Sequence, residues 1–244
     1  MIIYIGIDDT DNKESRGTGF KSRQLGELIE KEKIGRLKGI TRHQLYVHDD
    51  IPYTSQNSSA CIEVDAAEID KVIQISEDFL KREAEIGSDA GLCVVKPSQL
   101  TKEHRKFGLA AKREGLGQDK GKAQIEGQDI FLEGYTGTKD GIIGAFAAVA
   151  LRSTGNDGRF VWLQGLRNLR SGIYSSWELS RMIDIDNIAN FEGVVAEDAD
   201  YIFVGDWVRP VLKNHKKTLL VEEVSNYGKY QWETVSKHFI RSVS

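Results

Sequence analysis

The chain opens with an apolar, β-branched run that ends in three carboxylates. Residues 2–7 are apolar apart from Gly6, and Asp8-Asp9-Thr10-Asp11 follows at once. A run of this kind is typical of a buried strand. Like charges crowded at the end of a strand repel one another unless a cation neutralises them. The opening therefore predicts a central strand and a candidate cation site at its carboxyl end.

Two interpretations of this acidic turn (residues 8–11) stay open at this point. Mg²⁺ prefers oxygen ligands and usually binds one or two carboxylates together with substrate phosphates, and Asp9 and Asp11 could supply such ligands. If the strand geometry continues, these two side chains project to one side and Asp8 projects to the other. Ligands also tend to bind beyond the carboxyl ends of strands in α/β sheets. The alternative is a turn that only ends the strand, because Asp and Asn are common turn residues.

A segment with two glycines follows the acidic turn. Gly17-Thr18-Gly19 precedes Ser22, which we expect to cap a helix with Leu25, Leu28 and Ile29 on one face. Small residues let backbone N–H groups approach a phosphate, and a helix N-terminus attracts anions. The segment lacks the Gly-Lys-Thr/Ser sequence of a P-loop. Together with the acidic turn, it predicts one site for Mg²⁺ and nucleotide phosphates.

Hydrophobic periodicity predicts an α+β fold of two α/β sandwich-type domains with ferredoxin-like βαββαβ patterns. In the first half we predict strands at residues 2–7, 39–48, 59–65 and 92–95, and helices from Ser22 to about residue 35, at 66–85 and at 102–114. Residues 115–122 have no apolar face to bury and predict a flexible linker, which gives domains of residues 1–120 and 121–244. In the second half we predict strands at 128–133, 160–165, 201–204 and 218–224, and helices at 141–152 and 175–183.

The composition narrows the possible classes of protein. The 244 residues are 40% hydrophobic and 29% charged, as in an ordinary globular protein. No apolar run approaches the ~20 residues of a membrane span. A net charge of −4 lacks the basic balance of a dedicated nucleic-acid binder. Two cysteines, Cys61 and Cys93, are too few for a zinc ribbon and are predicted to be buried, reduced thiols, as expected of a cytoplasmic protein.

Other polar residues could contribute to the site, although single exposed charges usually need no function. Arg42 could bind a phosphate through two parallel hydrogen bonds. His48 could act as a base. Lys120 and Lys122 could close over phosphates, but we expect them to lie in a solvated loop.

Several motifs resemble those of the archaeal tRNA(Ile) 2-agmatinylcytidine synthetases. The segment Ile5 to Asp11 is similar to the family's Ile-Gly-Ile-Asp-Asp-Thr-Asp-Ser opening. The segment Gly141 to Val149 is similar to its Gly-Leu-Ile-Gly-Ala-Leu-Ala-Ala-Val element. Weaker similarity lies at residues 19–26, 51–60 and 209–212, so the motifs run in order along most of the chain.

The resemblance implies a kinase-like domain followed by a ferredoxin-like domain. It also implies that ATP and Mg²⁺ are used to phosphorylate a cytidine carbonyl, so that agmatine can displace the phosphate. The threonine that becomes phosphorylated in the family matches Ser22. We therefore predict catalytic residues Asp8, Asp9, Asp11 and Ser22, metal ligands Asp9 and Asp11, and nucleotide contacts from Thr10, Gly17, Thr18, Gly19, Lys21 and Arg42.

Differences from the family leave the second substrate open. The family's Arg-Gly-Asn-Gly loop is Gln56-Asn57-Ser58-Ser59 here, and the resemblance covers only the core, without the OB-fold and zinc ribbon. We predict an ATP- and Mg²⁺-dependent phosphotransferase or ligase-like enzyme that acts on RNA or a small-molecule acceptor, in an unknown oligomeric state and without a membrane. The alternative is a non-catalytic nucleotide-binding or RNA-handling adaptor. A third possibility is a structural protein whose acidic turn has no function.

Overall fold

The computed structural model describes residues 1–48, 57–225 and 228–244, and the chain divides into two compact units, Met1–Thr154 and Gly155–Ser244. In the first unit, the described strands are β1 (Ile2–Asp8), β2 (Gly35–Gln44), β3 (Ser58–Ala66), β4 (Gly91–Val95) and β5 (Phe131–Gly134). The described helices of this unit are α1 (Thr18–Lys31), α2 (Ile69–Glu83), α3 (Lys102–Ala111), α4 (Gln118–Ile125) and α5 (Gly141–Arg152).

The five strands of the first unit form one antiparallel sheet in the order β5-β4-β1-β3-β2. Without β5, the element order β1-α1-β2-β3-α2-β4 is the ferredoxin-like arrangement, and the predicted α+β class is confirmed. The arrangement occupies residues 2–95, where hydrophobic periodicity predicted this order of strands and helices.

The central strand β1 is covered on both faces. Ile5 is paired with Ile62, which is paired with Ile40, and the Ile40 side chain lies against Gly26 of α1. Neighbouring residues of a strand point to opposite faces, so Gly6 faces away from α1. A Cβ atom placed on Gly6 would lie 2.0 Å from the Ala145 carbonyl oxygen. Helix α5 therefore packs directly on the strand that leads into the acidic turn.

Three predictions for the first unit differ from the structure. Residues 118–125 form α4 rather than a flexible linker. The division between the units falls at 154/155 rather than at 120/121, because β5 pairs with β4 and α5 packs against β1. Helix α1 begins at Thr18, so Ser22 lies inside the helix and does not cap it.

The second unit is built mainly of short strands. Its described strands are β6 (Arg159–Trp162), β7 (Gly172–Ser175), β8 (Asn187–Ala189), β9 (Tyr201–Val204), β10 (Val211–Lys213), β11 (Lys216–Glu223) and β12 (Trp232–Thr234), and its described helices are α6 (Ser176–Met182) and α7 (Lys237–Ser242). Strand β11 pairs with β10 and β12 in antiparallel register and with β8 in parallel register. None of the described helices is long and apolar enough to cross a membrane.

Candidate functional site

The acidic turn begins where β1 ends. The strand stops at Asp8, and Asp9 adopts a left-handed conformation with φ of 47°. Asp tolerates this conformation better than most residues, because its short polar side chain can form local hydrogen bonds. The strand alternation assumed for Asp8 to Asp11 therefore stops at Asp9. The turn brings the carboxyls of all three Asp residues close enough to influence one another.

Asp11 connects the acidic turn to the start of α1. Its Oδ1 accepts hydrogen bonds from the backbone N–H and the Oγ1 hydroxyl of Thr18, each at 2.9 Å. Thr10 lies in the same contact, with its Oγ1 at 3.4 Å from Thr18 Oγ1. The residue before the helix, Gly17, has no side chain to cap the first turn. The acidic turn and the helix N-terminus thus form one local structure.

Asp8 lies against the first turns of α5. A Cβ atom on Gly144 would lie 1.8 Å from Asp8 Oδ2, so the carboxyl occupies space that only a glycine leaves open. Burial and the neighbouring charge of Asp9 raise the pKa of Asp8 to about 8. The Arg42 guanidinium acts in the opposite direction and lowers this pKa, but it does not offset the other effects.

Two carboxylates that the sequence analysis missed lie near Asp9. Burial and the charges of Asp89, Asp11 and Asp140 raise the pKa of Asp9 to about 6. Asp89 immediately precedes the β4 region, and Asp140 immediately precedes α5. In the sequence, each of these Asp residues lies just before a strand or a helix, but nothing in the neighbouring residues indicated that β4 and α5 begin near the acidic turn.

Hydrogen bonds hold the two additional carboxylates in place. The Asp89 backbone carbonyl accepts from Gly141 N–H at 2.8 Å, and its carboxylate accepts from Thr138 N–H. Asp140 Oδ2 accepts from the Thr138 hydroxyl at 2.8 Å, and its Oδ1 accepts from the Gln118 amide at 2.7 Å. Thr138 and Gly141 therefore help to hold Asp89 and Asp140 near Asp9.

Several predicted residues make other contacts. Ser22 is fully buried, and its hydroxyl donates to the Gly19 carbonyl at 3.0 Å, so the structure places Thr18 and not Ser22 beside Asp11. Lys21 forms an ion pair with Glu85 at 3.0 Å.

Other predicted residues lie on β2 or near it. Arg42 Nε donates to Ser58 Oγ at 2.8 Å. His48 stacks on Tyr46 with ring centroids 5.6 Å apart. The weaker motif at residues 51–60 falls mostly outside the described residues, since 49–56 are not described.

The chemistry of these groups fits a cation together with phosphates. Within the described ranges, no three His, Cys, Asp or Glu side chains are grouped as a complete metal site. Mg²⁺ does not need such a group when substrate phosphates and water supply the remaining ligands. A cation would relieve the repulsion that raises the pKa of Asp8 and of Asp9. Helices α1 and α5 both begin at this site. A helix N-terminus favours the binding of anions.

The fold and the site define an α+β protein with a ferredoxin-like strand order and an acidic turn at the end of its first strand. No family model matches the chain. An uncharacterized protein of Methanocaldococcus jannaschii is 29% identical over an alignment of 158 positions, which covers 61% of this chain and 49% of that protein.

Solved structures with this fold include those of TiaS. The structure of apo TiaS, a tRNAIle2 agmatidine synthetase, matches with a TM-score of 0.54 and 22% identity over 62% of this chain and 35% of TiaS. The TiaS–tRNA(Ile2)–ATP complex matches with a TM-score of 0.55 and 22% identity over 62% of this chain and 36% of that chain. A tRNA fluorescent labeling enzyme matches with a TM-score of 0.54 and 23% identity over the same shares.

These likenesses show a common fold, and at that level they confirm the resemblance predicted from the motifs. The chain spans about half the length of the curated relative, at 49%, and about a third of the solved structures, at 35–36%. The chain thus matches only a part of those longer proteins.

Proposed function

We propose that this chain is an ATP- and Mg²⁺-dependent phosphotransferase or ligase-like enzyme, with its nucleotide phosphates and Mg²⁺ at the acidic turn. The observation that supports this most strongly is the placement of five carboxylates, Asp8, Asp9, Asp11, Asp89 and Asp140, near two helix N-termini. Acidic groups alone would repel a phosphate, and helix N-termini alone would repel a cation. A Mg²⁺–phosphate pair matches both parts of the site.

The proposed roles follow from the contacts. Asp9 and Asp11 would bind Mg²⁺, and Asp8 would complete the metal environment or accept a proton. Backbone N–H groups near Gly17 and Gly19 would contact the phosphates. Because Ser22 is buried and bonded to Gly19, we assign the hydroxyl beside the phosphates to Thr18 instead. When bound, Mg²⁺ would neutralise charge on the phosphates, and the protein would contribute mainly positioning.

The acceptor is proposed only as a class, an RNA nucleotide or a small molecule in tRNA processing. The TiaS structures include complexes with tRNA(Ile2), ATP, an ATP analogue and agmatine. Their common fold with this chain supports a nucleotide site here. We also place the protein in the cytoplasm, where the free, buried thiols of Cys61 and Cys93 stay reduced.

Asp9→Asn tests the proposal with little change to the backbone. Asn tolerates the left-handed conformation of residue 9, whereas Ala would add strain of about 1–2 kcal/mol. With labelled ATP and Mg²⁺, we expect the wild-type chain to release ADP or transfer label. Asp9→Asn should lose that activity with a melting temperature no lower than that of the wild-type chain, because the substitution removes a crowded charge. Asp206→Asn, at an exposed carboxylate of the second unit, is the matched control.

Other outcomes would change the conclusion. Wild-type turnover in Asp9→Asn refutes the role of that carboxylate. Saturable ATP binding without turnover in the wild-type chain supports the nucleotide-binding adaptor in place of the enzyme. Absence of any thermal shift with Mg²⁺ and ATP would contradict both functions and leave the structural protein.

A further inference from the structure

The second unit contains a pocket of about 200 Å³ that the proposed enzyme activity does not use. Strands β8 and β11 form one side of the pocket, where Asn187 is paired with Thr218. The loop that follows β8 and the end of the β10–β11 hairpin form the other sides. No Asp or Glu lies among the described residues that line it, whereas Lys213 and Lys216 do.

The two lysines occupy directly opposite positions. Lys213 and Lys216 are cross-strand partners at the end of the hairpin, joined by Asn214 and His215, which both have positive φ. Like charges at directly opposite positions of two strands are destabilising. Neither lysine forms an ion pair with a carboxylate of the described residues, in contrast to Lys217, whose Nζ lies 2.7 Å from Asp184 Oδ2.

Lys213 is held in position by groups that leave its charge unneutralised. Its Nζ donates to the Phe191 carbonyl and lies 3.9 Å from the centroid of the Phe191 ring. A carbonyl and a ring face orient an ammonium group but carry no net negative charge. The pocket therefore keeps two positive charges at its edge.

Two asparagines add uncharged donors. Asn187 Oδ1 accepts from the Thr218 hydroxyl at 2.7 Å. Asn190 Oδ1 accepts from the N–H groups of Gly193 and Val194 at 2.9 and 2.8 Å. Because both amide oxygens already accept hydrogen bonds, the NH₂ groups are the parts of these side chains that can serve a ligand.

We propose that this pocket binds an oxyanion group, phosphoryl or carboxylate, of a small molecule. Two ammonium groups and two amide NH₂ groups all donate, and an oxyanion accepts from several donors at once. Charge-assisted hydrogen bonds would offset the repulsion between Lys213 and Lys216. The volume of the pocket, about 200 Å³, suits a small molecule rather than a stretch of nucleic-acid backbone. This site is independent of the proposed ATP site in the first unit.

The test is a titration of the full chain with inorganic phosphate and, separately, with acetate, followed by NMR of the asparagine side-chain amides. No divalent cation is present in either titration, so that phosphate binding at the acidic turn, which would need Mg²⁺, is suppressed. We expect the Asn187 and Asn190 NH₂ signals to shift with saturation. Tighter binding of phosphate or of acetate then tells which oxyanion the pocket prefers.

Two variants separate the pocket from general surface charge. Lys216→Gln should weaken the binding by about tenfold or more, the effect of one charge-assisted hydrogen bond. Lys229→Gln, at an exposed lysine of the same unit, should leave the affinity unchanged. Equal affinity of Lys216→Gln and the wild-type chain, or amide signals that stay fixed with both anions, would overturn the proposal. Lysine-dependent binding of single-stranded RNA without phosphate or acetate binding would also overturn it.

Discussion

The acidic turn and the Lys213–Lys216 pair both hold like charges close together, negative charges in the first and positive charges in the second. In the first unit, burial and neighbouring carboxylates raise the pKa of Asp8 and of Asp9. In the second unit, two lysines face each other across a hairpin. In contrast, Arg152 and Glu63 neutralise each other in a largely buried ion pair. This contrast is the reason for the two proposals, in which each region binds a counter-charge supplied from outside.

The two regions differ in how firmly they are held. Asp8 lies against α5, and Asp11 is bonded to the start of α1, so the acidic turn is fixed by the core of its unit. The lysine pair lies at the end of an exposed hairpin. Changes around the acidic turn should therefore have large effects on stability and activity, and changes at the lysine pair should have small ones.

The largest expected effect comes from the packing that supports the acidic turn. A Cβ on Gly6 would meet the Ala145 carbonyl oxygen, a backbone atom that cannot move without shifting α5. We expect Gly6→Ala to destabilise the chain by about 3 kcal/mol or more, measured by urea unfolding. Gly19→Ala is the control, because a Cβ there would have nothing within 4 Å. Equal stability of the two variants would show that α5 does not pack on β1 in this way.

The next effect concerns pH. The pKa of Asp8 is about 8 in the folded chain against an ordinary value of 3.8, so the folded state binds more protons between these values. Stability without Mg²⁺ and ATP should therefore be greatest at low pH and fall as the pH rises from about 4 to about 8. Asp9, with a pKa of about 6, adds to the fall in the lower part of that range.

Asp8→Asn is the variant that isolates this effect. It removes the titrating group, so its melting temperature should fall less steeply between pH 5 and pH 8 than that of the wild-type chain. Melting curves at several pH values measure the two slopes. Parallel slopes would contradict the crowding of Asp8 with the other carboxylates.

Two variants of Asp11, with effects of moderate size, should separate its structural role as the acceptor for Thr18 from its proposed role in binding Mg²⁺ and ATP. Asp11→Ala removes the acceptor for Thr18 N–H and Oγ1 and should cost about 1–2 kcal/mol of stability. Asp11→Asn keeps an acceptor oxygen and should stay near wild-type stability, while its apparent affinity for ATP with Mg²⁺ falls because a charge is lost. Unfolding and nucleotide titration of both variants make the comparison. Wild-type nucleotide affinity in Asp11→Asn would limit Asp11 to a structural role.

The smallest effect is expected at the lysine pair. Lys216→Gln removes the repulsion with Lys213 and should stabilise the chain by about 0.2–1 kcal/mol in a buffer without phosphate or carboxylate anions. Added phosphate should reduce or reverse this gain, because the wild-type chain then receives its counter-charge. Thermal unfolding with and without phosphate measures both values. If Lys216→Gln gains the same stability in both buffers, the lysine pair does not bind the anion.

Much of the fold could be predicted where the signal is local. Residues 2–7 form a continuous apolar run and lie in β1, and the small, apolar segment 141–152 is a helix with those same bounds. Helix α4 was missed because residues 118–125 present almost no apolar face. The short strands β7, β8, β10 and β12 were missed for a similar reason, since three or four residues give little periodicity.

Of the candidate site, only the residues that are neighbours in the sequence could be predicted. Asp8, Asp9 and Asp11 follow one another in the sequence, and their proximity needed no tertiary structure. Asp89 and Asp140 reach Asp9 only because β4 and α5 lie beside β1, which a single sequence does not show. Ser22 was predicted as the helix cap, but α1 begins four residues earlier, at Thr18. Its predicted role as the reacting hydroxyl came from the family motif, and the Thr18 contact with Asp11 is the reason to propose Thr18 instead.

A structure determined with Mg²⁺ and a non-hydrolysable ATP analogue tests the central claim most directly. We expect the ion in contact with Asp9 and the phosphates beside the start of α1. A nucleotide bound elsewhere on the chain, with the acidic turn bound to neither metal nor phosphate, would contradict it.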